Sequence, residues 1–317
     1  MFSIVMPVWN KRHVIEATLA SVFAQSFRDF ELIAVDDGST DGGRDVLRGV
    51  RDPRIVLIEQ PRTGPGAARN AGIEAARHEW IAFLDADDLW LPHHLKELDR
   101  IRRRHSDAGL IGTAFISGHA KQATLPIGSR YIREIDYFEA AASTNNLLFT
   151  SSVAIPASVY HSLGGFSDAP SGQDKEYWAR IALARPVAVS RRRTVIYHRG
   201  TGGITDQKRQ RPRAQPQSVS DINPAIALLV DRYDGLNPSV RRSVDLYICR
   251  HIQWEIRGAA LAGDSSALRV LPKLWTCPRN SADGLVLAIS RLPRPLADLL
   301  LQLGAQVLRL WRRLRHR

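Results

Sequence analysis

Four apolar runs in the first 90 residues each stop at a polar turn, and that repetition constrains the chain more than any other feature. They read FSIVMPV before WN, FELIAV before DDGSTD, RIVLIEQ before PRTGPGAARN, and EWIAFL before DADD. Short runs of this kind are strands buried on both faces. Helical spacings lie between them: Ile15, Thr18, Leu19, Val22 and Phe23, then the Ala-rich GPGAARNAGIEAA (64–76), then HLKELDRIRRR after the fourth run. Asn10 is the expected N-cap of the first helix. The order predicts an open, mostly parallel α/β sheet with helices on both faces. Ligands of such sheets bind outside the carboxyl ends of the strands, so the four polar turns should face one crevice.

That crevice is acidic. Asp85, Asp87 and Asp88 fall within four positions, and their mutual repulsion calls for a cation among them. Two carboxylates spaced i, i+2 at a strand end suit Mg2+ or Mn2+ carrying phosphate oxygens. The alternative is that Asp87 or Asp88 caps the helix beginning near Pro92. Asp36 and Asp37 can accept hydrogen bonds from a base or ribose, or belong to an ordinary turn in which Asp41 caps the next helix.

GLIGTAFIS (109–117) and TSSVAIPASVYHSLGGF (150–166) read as further strands and turns, and QDKEYWARIALA (173–184) as a helix. TVIYHRGTGGIT (194–205) reads as a strand entering a glycine-rich loop, and the Pro-containing QKRQRPRAQPQSVS (207–220) as a linker. This divides the chain into an α/β domain over 1–205 and a mainly helical region over 206–317. The net charge is +12, and the second region holds 19 Lys and Arg against 9 Asp and Glu. Its last helical stripe, Leu299, Leu300, Leu303, Val307, Leu310, Trp311 and Leu314, carries Arg309, Arg312, Arg313, Arg315 and Arg317. Such a helix suits an anionic membrane surface, with core or dimer packing as the alternative.

No apolar stretch reaches the roughly 18 to 20 residues that span a bilayer, and no basic leader precedes the first run. Cys249 and Cys277 match no metal or redox spacing, so reduced thiols are expected. The expectation is a cytoplasmic chain, attached through its last helix to the inner face of the plasma membrane. A nucleic-acid partner is excluded, because acidic strand ends repel a polyanion and no stacking aromatics accompany the arginines. No G-x-G-x-x-G follows the first strand, which argues against a dinucleotide oxidoreductase.

SIVMPVWN, VDDGSTD, GPGAARNAGI and WIAFLDADD, in this order and spacing, resemble the family 2 glycosyltransferases over about residues 2–205. That family has the GT-A nucleotide-diphospho-sugar transferase fold, here with a helical C-terminal extension. The resemblance implies metal-dependent, inverting transfer from a nucleotide-diphospho-sugar, a UDP-sugar, to an acceptor hydroxyl. The acceptor would be a saccharide or lipid-linked saccharide in cell-surface polysaccharide or glycolipid synthesis; a protein that binds the donor without transfer is the alternative. It implies that Pro7, Val8, Trp9, Asp36, Asp37 and Arg69 hold the nucleotide, with Asp85 and Ala86 near the ribose. Trp9 replaces the usual Tyr but keeps a flat face for a base. Asp87 inherits the Mn2+ or Mg2+ ligand, with Asp85 and His198 as further candidates, and Asp88 stands behind them or caps a helix.

GGFSDAPSGQDKEYWAR resembles the pattern of the family's second half, which makes Asp174 the general base toward the acceptor hydroxyl. Two departures stand out. Gln173 occupies the place of the usual Glu, and YHRGTGGIT puts Gly200 where a histidine is usual, with His198 two places earlier.

Overall fold

The computed structural model describes residues 1–117, 131–144, 147–198, 218–262 and Val270. The chain forms two compact units, Met1–Tyr137 with Asn146–Arg211, and Phe138–Asn145 with Pro212–Arg317.

In the first unit the strands β1 (Phe2–Val8), β2 (Phe30–Asp37), β3 (Ile55–Gln60) and β4 (Trp80–Phe83) run parallel in the order β3-β2-β1-β4. Helices α1 (Ile15–Phe23), α2 (Gly43–Gly49) and α3 (Pro65–Glu74) connect them. Beyond lie β5 (Leu89–Trp90), α4 (His94–Arg104), β6 (Leu110–Ser117) and β7 (Ile132–Ile135), then β8 (Val153–Pro156), α6 (Ala157–Leu163), α7 (Gln173–Ala184) and β9 (Val187–Tyr197), while α5 (Tyr137–Ser143) belongs, but for its first residue, to the second unit. The sheet continues from β4 through β8, β6 and β9 to β5, with β7 also on β9. β8 is antiparallel to both β4 and β6, so the sheet is parallel where the four turns lie and mixed beyond.

β1 and β2 are buried along almost their whole length, as continuous apolar runs require, and Phe2, Ile4, Met6 and Val8 join Leu19, Val22, Leu95 and Leu98 in the core. Their register sets Val8 opposite Asp36, which ends both strands level and brings the WN and DDGSTD turns side by side. α4 and α7 have the bounds that helical spacing predicts. β9 starts seven residues before the expected Thr194. Arg191, Arg192 and Arg193 break the alternation there, and shifts of register opposite Thr113–Phe115 absorb the irregularity.

Two of the caps considered in the sequence do not form, and a third residue does serve its helix. α1 begins at Ile15 rather than beside Asn10, whose φ of +52° is left-handed. Asn10 instead ties the two turns together: its Oδ1 accepts from Thr40 N–H at 2.9 Å, and its own N–H donates to Ser39 Oγ at 3.1 Å. Neither Asp87 nor Asp88 caps α4, which His93 precedes. Asp41 does serve α2, accepting from Gly43 N–H at 2.9 Å.

Glu97 on α4 is fully buried. Desolvation pushes its carboxyl up, but Ser190 Oγ at 2.6 Å, Arg100 at 2.9 Å and Arg192 at 3.3 Å outweigh that and leave it below its ordinary value of 4.5. A depressed folded value contributes stability that is present above 4.5 and lost as pH falls through the folded value. Thermal unfolding followed from pH 7 downward should therefore fall less steeply below that point in Glu97→Gln than in the wild type.

In the second unit α8 (Pro224–Arg232) is capped by Asn223, which accepts from Ile226 N–H at 3.0 Å. α9 (Pro238–Ala262) buries Val244, Tyr247, Ile248, Ile252 and Ile256 at helical spacing. Cys249 is buried on α9, and Cys277, the other thiol of that expectation, lies outside the described residues. Among the described residues no helix is long and apolar enough to cross a membrane. Most of the expected linker, Arg199, Gly200, Cys277 and the amphipathic stripe after Leu296 lie outside the described residues.

Candidate active site

At the end of β2 the two aspartates do different things. Asp37 accepts from Thr63 and Gly64 N–H, Gln60, Thr63 Oγ and Arg62, which bolts the β3–α3 loop to β2. Desolvation raises its carboxyl, yet those donors bring it below the ordinary value. Asp36 is held through Oδ2 by Arg44 at 2.8 Å, and its buried Oδ1 has no hydrogen-bond partner. A buried carboxylate oxygen with spare capacity is the kind of atom a ligand donor completes. Trp9 stands one residue past β1 with the Arg62 guanidinium 3.7 Å over its ring. Pro7 pairs with Val35 across the strands; the side chains of Val8 and Ala86 are core, so any contact they make with a ligand comes from the backbone.

At the end of β4, the DADD turn is fixed from behind. Ser151 Oγ accepts Asp85 N–H at 2.9 Å and donates to Asp88 Oδ2 at 2.5 Å, while Trp90 Nε1 donates to Ser151 O at 2.8 Å. Thr18 Oγ1 donates to Ala86 O at 3.0 Å. Asp88 is fully buried. Burial first, then the charges of Asp85 and Asp87, push its carboxyl well above the usual carboxylate range, against the pull of Ser151 and the His198 N–H. Asp88 is thus a brace between the turn and the end of β9, and it leaves Asp85 and Asp87 as the forward carboxylates.

Protein cations meet both. Arg69 Nη2 donates to Asp85 Oδ1 at 2.6 Å, and Lys11 Nζ to Asp87 Oδ2 at 2.6 Å. Asp85 keeps 31 % of its side chain exposed. Desolvation raises its carboxyl, Arg69 lowers it, and Asp87 and then Asp174 raise it again, for a net upward shift. His198 Nδ1 lies 3.1 Å from Asp87 O. A carbonyl only accepts, so Nδ1 is the donor in this contact and Nε2 is the ring nitrogen it does not use.

Asp174 reaches this place through packing. Trp178 and Phe166 stack edge-on or tilted against Phe83 of β4 at 5.3–5.8 Å, and Tyr177 packs on Phe166, which lays α7 along the sheet. Its first turn then opens toward the end of β4. Asp174 is in that turn rather than at the cap, which is Gly172, and it accepts from Lys175 N–H at 2.9 Å. Gln173 donates to Ala169 O at 2.6 Å, a bond its amide can make and a carboxylate cannot. A Cβ on Gly66 would sit 2.9 Å from Gln173 Nε2 and 3.0 Å from Ser167 O, so a larger residue would push against the Gln173 amide and this loop. Asn70 clamps the same loop, donating to Phe166 O at 2.9 Å and accepting its N–H at 2.8 Å.

Arg180 ties α7 to the Gly164–Gly165 turn. It donates to Leu163 O, Gly165 O and both oxygens of Glu176, which is 8 % exposed. Arg180→Met should destabilise the fold by about 3 kcal/mol, because it leaves a nearly buried carboxylate and two carbonyls unpaired. Urea unfolding checks this; a loss within error of zero would mean water replaces the guanidinium.

Residues 3–148 match the family described as Glycosyl transferase family 2. This segment is a family 2 glycosyltransferase domain. It is 41 % identical over 99 residues to the succinoglycan biosynthesis protein ExoW of Rhizobium meliloti, covering 29 % of this chain and 31 % of that one. It is 37 % identical over 97 residues to WfgD of Escherichia coli, a UDP-Glc:alpha-D-GlcNAc-diphosphoundecaprenol beta-1,3-glucosyltransferase, covering 30 % of this chain and 38 % of that one. The chain thus spans little more than a third of the length of such curated relatives. S. aureus TarS 1–349, solved with UDP-GlcNAc, superposes with a TM-score of 0.69 at 17 % identity over 92 % of this chain and 87 % of that one. The mannosyltransferase PcManGT of Pyrobaculum calidifontis, solved with GDP-Man and Mn2+, gives 0.52 at 18 % identity over 98 % and 87 %. Both likenesses establish the GT-A fold.

The first unit brings Trp9, Asp36, Asp37, Arg69, Asp85, Asp87 and His198 to the ends of β1, β2, β4 and β9, and α7 adds Asp174. Lys11, Arg44, Arg62 and Ser151 were missed in the sequence. Lys11 and Arg62 had a signal, since both lie in strand-end turns; Ser151 had none, because its role depends on β8 pairing beside β4.

Proposed function

We propose that the chain is a metal-dependent, inverting glycosyltransferase that moves a sugar from a UDP-sugar to a hydroxyl of a saccharide or lipid-linked saccharide acceptor. The observation that carries this reading is the convergence of two kinds of carboxylate. Asp85 and Asp87 follow β4, and Asp174 lies in the first turn of a helix whose Trp178 packs on Phe83 of that strand at 5.8 Å. A donor site and a base site on one crevice are what a single displacement requires.

The residues also fit a divalent ion. Among the described residues no three acidic, His or Cys side chains form a closed metal cage. Mg2+ and Mn2+ beside a diphosphate use only one or two carboxylates and fill the remaining positions with phosphate and water. Asp87 would hold such an ion, with Asp85 as the one further carboxylate beside it. When bound, the ion supplies charge neutralisation for the diphosphate leaving group. The chain's own residues do the rest: Trp9 offers a face to the base, Asp36 Oδ1 accepts from base or ribose, and Arg69 orients Asp85. Asp174 takes the proton from the acceptor hydroxyl as the oxygen attacks C1 opposite the leaving group, which inverts that carbon. Gln173 makes a structural bond away from Asp174, so its departure from the family pattern lends no support to a binding-only protein.

The relatives in succinoglycan and diphosphoundecaprenol-linked synthesis support surface polysaccharide or glycolipid assembly as the setting. The basic C-terminal stripe supports attachment to an anionic membrane surface. Thermal unfolding with a panel of nucleotide sugars, with and without Mn2+, tests the donor. A UDP-sugar at a hundred times its Kd should add about 2.7 kcal/mol of stability when Mn2+ is present. No shift with any nucleotide sugar would overturn the reading.

A further inference from the structure

The acidic turn carries a cation of its own at the place assigned to the divalent ion. Lys11, between β1 and α1, sets Nζ 2.6 Å from Asp87 Oδ2, with 13 % and 16 % of the two side chains exposed. A charge-assisted hydrogen bond this short, largely out of water, takes up one lone pair of an oxygen that a metal would use. An ion at about 2.0–2.2 Å from the same oxygen would face the ammonium at close range, and like charges there repel strongly. The neighbouring pair differs. Arg69 is only 9 % exposed, its guanidinium lies 5.3 Å from the Phe166 ring and Nη2 donates to Asp85, so packing holds it in place. Lysine is a point charge on a flexible four-carbon stem, the side chain better suited to move away.

We propose that Lys11 is a resident counter-cation for Asp87 that a divalent ion must displace, so the protein itself holds ion binding weak until a donor arrives. The inference rests on Asp87 being the metal ligand. It gives Lys11 a positioning role. In the absence of the ion it keeps the Asp87 carboxylate oriented beside Asp85 and Asp88. On displacement, its ammonium remains beside the anion that the ion carries.

The test uses the full chain without nucleotide and Mn2+ alone as the probe, with free Mn2+ read by electron paramagnetic resonance. Lys11→Met and Lys11→Gln remove the ammonium while keeping most of the side-chain volume, and near-ultraviolet circular dichroism reports whether each is folded. Either folded variant should bind Mn2+ about tenfold more tightly than the wild type, and adding Asp87→Asn should abolish that gain. Unchanged affinity in the Lys11 variants, with binding lost in Asp87→Asn, would overturn displacement and leave the metal ligand standing. Equal Mn2+ binding in the wild type, the Lys11 variants and Asp87→Asn would overturn both.

Discussion

Asp174→Asn is expected to lower transfer turnover about a thousandfold while leaving binding of UDP and Mn2+ intact. A positioned base contributes on the order of 10²- to 10⁴-fold, and asparagine keeps the shape and the hydrogen bond from Lys175 N–H but cannot take a proton. Because Asp174 also raises the Asp85 carboxyl, the substitution removes one of the charges pressing on Asp85. The donor side should therefore be unharmed or slightly improved. Single-turnover transfer and equilibrium donor binding, measured on the same protein, separate the two effects. Full turnover in Asp174→Asn would remove the base from this helix.

Asp87→Asn should be as damaging by another route. Stabilising the charge on a departing diphosphate is worth several kcal/mol, and each 1.36 kcal/mol is a factor of ten in rate, so a loss of about a thousandfold is expected. Donor affinity in the presence of Mn2+ should fall as well, which distinguishes this variant from Asp174→Asn. The fold should survive, because the turn is braced by Asp88, Ser151 and Thr18 rather than by Asp87. The substitution also strips Lys11 of its 2.6 Å carboxylate partner. If turnover were retained and Mn2+ still raised donor affinity, the ion would be held elsewhere.

Local chemistry and global packing divided the work of building this site. The four strands, the helices α4 and α7, and the convergence of polar turns on one edge were legible in the residues. Buried parallel strands must be continuous apolar runs, and a helix on the sheet must repeat its apolar contacts every three to four residues. The motifs around Asp36, Arg69, Asp85 and Asp174 were legible for the same reason: each is a short stretch tied to the end of one element.

What lay beyond reach were the relations between elements. Nothing near Asp88 in the chain says that it will be buried under Ser151 and the end of β9, as it is. Nothing near Asp37 says that the loop at 60–64 will fill its oxygens while Asp36 keeps one open. The cation that three neighbouring aspartates demand was foreseen as a metal; the fold also supplies Arg69 from α3 and Lys11 from the turn after β1, 16 and 76 residues away. A strand or helix follows from forces acting over a few residues, and so it is written locally. Which carboxylate is braced, paired or left open depends on side chains that meet only after the sheet has closed, and that assignment belongs to the tertiary structure.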